Sequence, residues 1–250
     1  MEWTDALIVI AAGFGAGFIN TVAGGGSLIT LPVLIFMGLP PATANASNRV
    51  AIFAQNVFGV LGFRSKGITV FPFSLWLSIS AVLGAILGAR IAIDIEGDIF
   101  NKILAVVMII VVFFTIFKPK QQGAELVERM GKKHTIISVL FFFLVGVWGG
   151  FIQAGVGFLI IAVLTSVNRL SLVKSNSVKV FVVLIYTLSA LAVFILEDQI
   201  NWLFGLVLAV GNATGGWVAS RWSVEKGDKW IKVILVITVV ALAVRLWFFS

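Results

Sequence analysis

Apolar residues run through the chain in long blocks, and polar positions fall mainly between them. Five blocks fill the first half: Ala6–Ala23, Ser27–Met37, Thr43–Phe63, Phe71–Ile93 and Ile99–Phe117. Five more follow the same plan: Thr135–Gln153, Gly157–Val167, Leu172–Leu196, Ile200–Ser220 and Lys229–Phe249. A helix needs about 20 apolar residues to cross a bilayer. The longer blocks therefore predict membrane helices, and the second block of each half is only half that length. Between Ala6 and Met37 the apolar run is interrupted by Gly24, Gly25 and Gly26. A related interruption, Gly155 and Gly157, divides the run from Thr135 to Val167. Each glycine disfavours helix by roughly 1 kcal/mol against alanine. Broken backbone at membrane depth persists only where protein buries it or where it lines a cavity. The two breaks are thus the first candidate site.

The halves also match residue by residue. Gly13, Gly17 and Asn20 pair with Gly146, Gly150 and Gln153 at an offset of 133, and Asn45 pairs with Asn176 at 131. Gly84 and Gly88 pair with Gly211 and Gly215 at 127. The matches keep their order, which predicts an internal duplication. Loop charge sets an orientation, because positive loops stay in the cytoplasm. Arg64 and Lys66 place their loop inside, and the equivalent loop, Glu197–Gln199, falls outside. Equivalent loops on opposite sides make the repeat an inverted one, as in many secondary transporters. The expected architecture is an all-α polytopic membrane protein. Each repeat holds a glycine-broken helical hairpin and three transmembrane helices. The boundaries are 1–117 for the first repeat, 118–134 for a cytoplasmic linker and 135–250 for the second, with both termini outside. Trp3, Trp76, Trp202, Trp222, Trp230 and Trp247 sit near predicted span ends, as interfacial anchors do. The four Gly-x-x-x-Gly pairs predict close helix packing.

Composition agrees with this reading: 60% of residues are hydrophobic, 12% are charged, and mean hydropathy is +1.11. The N-terminus carries Glu2 and Asp5 where a signal peptide has basic residues, so the first block is expected to be retained. The chain has no cysteine. Its net charge of +7 is accounted for by the cytoplasmic loops and implies no nucleic-acid partner.

The position of each charge then suggests a solute. All 11 acidic residues lie at termini, loops or span ends, whereas Arg49 and Lys179 lie within blocks. Ionisable groups inside a membrane are costly and mark function by default. Cations without carboxylates point to an anion. Asn45 and Arg49 share one helix face, as do Asn176 and Lys179. The short blocks after Gly26 and Gly157 offer helix N-termini suited to anions. Ser27 is placed to cap the first or to donate to a ligand, and Asn20 and Gln153 are placed to bond an oxyanion. The competing roles are structural. Arg49 would snorkel to the interface, Lys179 would count as a cytoplasmic charge, and the polar pair would satisfy the open backbone. Paired carboxylates within a span, a metal cluster and a histidine able to activate a serine are all missing. No cofactor and no enzymatic activity are therefore expected.

Two longer stretches carry a resemblance. Gly17 to Leu34 reads GFINTVAGGGSLITLPVL, followed by GLPPATAN from Gly38 to Asn45; QAGVGFL from Gln153 and KSNSVK from Lys174 form a second version. Together they resemble the two repeats of the TauE/SafE sulfite exporter family, also called the toluene sulfonate uptake permease family. The resemblance implies an inner-membrane protein that moves sulfite, sulfonates such as sulfoacetate, or related small organic anions. Val156 and Phe158 depart from the richer first motif and imply an asymmetric site. The expected function is export of such an anion by alternating access, with an anion channel or a carrier of another organic anion as the alternative. The expected substrate-binding residues are Asn20, Gly24, Gly25, Gly26, Ser27, Asn45, Arg49, Gln153, Gly155, Gly157, Asn176 and Lys179. Expected partners are the anion and the lipid bilayer, with a homo-oligomer compatible with the sequence.

Overall fold

A computed structural model describes residues 1–100, 102, 103, 106 and 127–249, with side chains beyond residue 227 described only in part. The fifth block, Ile99–Phe117, and the linker as far as residue 126 fall mostly outside the described residues, as does the Trp247 side chain. The described chain is helical from end to end. Its helices are α1 (Trp3–Val22), α2 (Ser27–Phe36), α3 (Pro41–Ser65), α4 (Phe73–Asp94), α5 (Lys132–Phe151), α6 (Val156–Ser166), α7 (Leu172–Leu196) and α8 (Trp202–Phe249). Within α8 the backbone breaks at Gly227, where φ is 71°. The last two blocks therefore run as one interrupted helix.

Local chemistry explains the element ends. Pro41 opens α3 at a position where its missing N–H costs nothing. The Ser171 hydroxyl caps α7 by accepting from the Lys174 N–H at 3.2 Å. Between α1 and α2 the chain turns through Gly24 at φ 98°, and between α5 and α6 through Gly155 at φ 71°. Both conformations are left-handed, where a Cβ is strained. The short helices begin within one residue of their expected starts. Ser27 does not cap α2, however: it is the first helical residue, behind Gly26, and no side chain bonds the helix start.

Among the described residues five helices are long and apolar enough to cross a membrane: α1, α4, α5, α7 and the Trp202–Gly227 part of α8. The exception among the long helices is α3. At 25 residues it spans about 37 Å at 1.5 Å per residue, yet it carries Asn45, Asn48, Arg49, Gln55 and Asn56 on a largely buried surface. The helices pack in the order α1, α8, α3, α7, α4, α5, with α2 against α1 and α3, and α6 against α5 and α7. That order places the polar α3 and its counterpart α7 side by side at the centre.

Small residues set the outer contacts. A methyl group added at Gly17 would lie 2.8 Å from the Asn212 Cα in α8, and one at Gly215 would strike the Phe14 carbonyl in α1. The same pattern joins α4 to α5: a methyl at Gly88 would lie 2.7 Å from the Phe151 N, and one at Gly150 2.6 Å from the Ala85 Cα. All four Gly-x-x-x-Gly pairs thus sit where helix backbones touch. Among the expected anchors, Trp3, Trp76, Trp202 and Trp230 are exposed, while Trp222 packs on Phe18 with ring centroids 5.6 Å apart.

Candidate functional site

The site is built where each broken hairpin ends against the opposite central helix. Carbonyls in the last turn of a helix have no intrahelical donor and carry the negative end of the helix dipole. In α5 those carbonyls are taken by α3. The Arg49 guanidinium donates from Nη1 to the Gly149 carbonyl at 2.6 Å and from Nη2 to that of Gly150 at 2.6 Å. Asn45 donates from Nδ2 to the Phe151 carbonyl at 2.8 Å. In α1 they are taken by α7. The Lys179 ammonium donates to the Asn20 and Thr21 carbonyls at 2.7 and 2.8 Å, and Asn176 donates to Val22 at 2.9 Å. Each asparagine also accepts from its own cation, Asn45 from Arg49 at 3.4 Å and Asn176 from Lys179 at 2.8 Å. Arg49 is 0% and Lys179 3% exposed. Neither cation snorkels to an interface; both are held inside by charge-assisted hydrogen bonds.

The two polar residues of the breaks bond in parallel ways. Asn20 donates to Gln55 Oε1 at 3.1 Å, and Gln153 donates to the Tyr186 hydroxyl at 3.0 Å while accepting from Arg49 at 3.1 Å. Gln55 and Tyr186 stand at the same offset of 131 as Asn45 and Asn176. Both went unremarked in the sequence reading, although Gln55 lies on the helical stripe begun by Asn45, Asn48 and Arg49. Tyr186 had no such signal, since an aromatic ring inside an apolar block reads as core. Gln55 gathers further partners, donating to Thr21 at 3.3 Å and accepting from Asn212 at 3.5 Å. Arg49 also stacks over Phe194, 5.0 Å from the ring centroid.

The glycine breaks meet each other. A methyl on Gly24 would lie 2.6 Å from the Gly157 Cα, and one on Gly157 would strike the Gly24 Cα. Gly25 lies under the Phe158 ring, and Gly26 against the Ala16 carbonyl. Close approach thus accounts for Gly24, Gly26 and Gly157 directly, whatever else their N–H groups bind. Asn20, Asn45, Arg49, Gln153, Asn176 and Lys179 form the two polar clusters around this contact. Ser27 is buried at 3% exposure and heads α2. The Trp148 indole spans the second break, donating to the Ala154 carbonyl at 3.0 Å.

A polytopic helical protein with cations buried beside paired helix breaks has the makings of a membrane transporter. Comparison with known proteins places it more closely. The model of the family described as "Sulfite exporter TauE/SafE" matches residues 9–246, and the chain belongs to this family of membrane transporters. It is 28% identical over 245 residues to the "Probable membrane transporter protein ORF9" of a Sinorhizobium species, covering 96% of this chain and 91% of that one. A probable membrane transporter protein of Haemophilus influenzae is 26% identical, covering 92% and 89%. The probable membrane transporter protein YfcA of Escherichia coli K12 is 27% identical, covering 94% and 87%. No solved structure matches the chain.

Proposed function

We propose that this transporter moves a small sulfur oxyanion, sulfite or an organosulfonate such as sulfoacetate, out of the cell across the inner membrane by alternating access. The observation that carries this reading is the sign of the buried charge. Arg49 and Lys179 are buried, and among the described residues no Asp or Glu is. Cations without a buried counter-charge in a low-dielectric interior are costly, and a passing anion relieves that cost. The central helices also offer spare polar atoms. Asn48 is wholly buried with neither amide atom partnered, and Arg49 Nε has no acceptor. An unmet buried polar group costs roughly 1–3 kcal/mol, so these are natural contacts for an oxyanion or its water.

In this reading Asn20, Asn45, Arg49, Gln153, Asn176 and Lys179 surround the path, with the breaks at Gly24–Gly26 and Gly155–Gly157 and with Ser27 alongside. The two halves are inverted repeats with both termini outside. The contact of Gly24 with Gly157 favours a carrier over a channel, because backbone fills the place between the breaks where a continuous pore would run. An inside-negative potential assists export of a monoanion by about 2.3 kcal/mol per 100 mV.

Flux into proteoliposomes, compared for sulfite, sulfoacetate, taurine and sulfate, tests the reading. Saturable, exchangeable flux of a sulfur oxyanion is expected, falling at least tenfold in Arg49→Gln and in Asn176→Ala. Unchanged flux in both variants would remove the site from the mechanism, and conductance without saturation would favour a channel.

A further inference from the structure

A cavity of about 330 Å³ lies between the last turns of α3, the loop at 68–71 and the N-terminal turns of α4 and α7. Arg64, Thr69, Ser74 and Ser177 supply its polar lining, and Phe71 and Phe181 are among its apolar walls. Ser74 is 0% exposed, and its hydroxyl has no hydrogen-bond partner. Ser177 is buried too, and it directly follows Asn176, whose amide reaches the end of α1. Along α7 the lining residue Ser177 thus stands one residue from Asn176 and two from Lys179. Arg64 is exposed and pairs with no carboxylate among the described residues, whereas its neighbour Lys66 is held by Glu225 at 2.7 Å. Beyond the other polar cluster the packing is apolar, where Phe100, Phe151, Phe158 and Phe194 share one buried cluster.

We propose that this cavity is an anion-binding vestibule, in which a small organic oxyanion with a short apolar tail waits before it reaches Asn176 and Lys179. The chemistry matches each part of such a ligand. A guanidinium fork suits a planar pair of sulfonate or carboxylate oxygens. The Ser74 and Ser177 hydroxyls supply further donors, and the phenyl walls take the tail. The volume lies at the small end for ligand pockets, which run from about 300 to 1,000 Å³. A bare sulfate would leave the phenyl walls without a partner and lose its own hydration. The proposal rests on the anion-transport reading and narrows its substrates to organosulfonates that carry an apolar tail.

The chain has no cysteine, so a single Thr69→Cys variant reports on the cavity through its rate of reaction with a neutral maleimide. Butanesulfonate is expected to slow labelling at least threefold, methanesulfonate less, and sulfate hardly at all. Adding Arg64→Gln should abolish the protection, and Arg64→Lys should restore part of it. Equal protection with Arg64→Gln, or none in the parent, overturns the proposal. So does a Thr69→Cys side chain that maleimide never reaches. Sulfate protecting as well as butanesulfonate sinks the role of the apolar walls. Labelling reads occupancy whether or not the anion crosses, so protection without flux would reject the transport reading and keep the vestibule.

Discussion

At the residue scale, each buried cation belongs to one half of the chain and caps a helix of the other. Arg49 closes α5 and Lys179 closes α1, with Asn45 and Asn176 beside them. Hydrogen bonds to charged groups contribute roughly 1.5–3 kcal/mol each, and removing the cation leaves buried carbonyls without that donor. Lys179→Met should therefore lower stability by about 3 kcal/mol, read as an earlier thermal unfolding transition in detergent, and Lys179→Arg should recover part of it. A transition unmoved by Lys179→Met would mean that the ammonium is not what satisfies the Asn20 and Thr21 carbonyls. The charged pair and its asparagines were legible in the sequence because charge is rare in these blocks and both faces follow helical spacing. Tyr186 was not, since only its hydroxyl bonds here and its partner, Gln153, sits at the break between α5 and α6. Nor could the sequence say that the cations bond carbonyls, because no spacing rule brings Arg49 to Gly149.

At the element scale, the fold depends on where glycine lets helices touch. The four Gly-x-x-x-Gly pairs were readable as contacts, and so were the broken hairpins; the partners across each contact were not, since spacing along one helix does not name its neighbour. Gly15 and Gly17 make a test within a single helix. A methyl at Gly15 meets nothing within 4 Å, and one at Gly17 runs into the backbone of Asn212. Gly15→Ala is expected to hold stability or raise it by up to about 1 kcal/mol through helix propensity. Gly17→Ala should cost about 1–3 kcal/mol by overpacking α1 against α8. Thermal unfolding of the two variants, side by side, decides it; equal behaviour would deny the close contact. Polar α3 is the complementary case. Composition alone ranks it below a spanning helix, and it is admitted to the interior because Asn45 and Arg49 find partners on α5 and Gln55 on α1 and α8.

At the scale of the whole molecule, the packing order α1, α8, α3, α7, α4, α5 reads the same from either end once each helix is exchanged for its counterpart. One consequence escaped the sequence. The fourth apolar block of each half packs into the other half, α4 against α5 and α7, and α8 against α1 and α3. If transport proceeds by rocking, as proposed, these contacts make the moving units α1–α3 with α8, and α4–α7. Between these units lie the α3–α7 contact, the crossed caps and the meeting of Gly24 with Gly157. A covalent bond across α3 and α7 should stop transport if rocking drives it. A Cβ at Gly59 would stand 3.5 Å from that of Val180, within the usual 3.5–4.5 Å of a disulfide. Gly59→Cys with Val180→Cys is expected to lose nearly all flux on oxidation and to regain it on reduction. Val50→Cys with Gly205→Cys joins α3 to α8 inside one unit, where the Cβ separation is 3.2 Å, and its flux should survive oxidation. Full flux through the oxidised Gly59–Val180 pair would mean that the anion passes without the two units parting, and the gate would then have to be sought in the broken hairpins themselves.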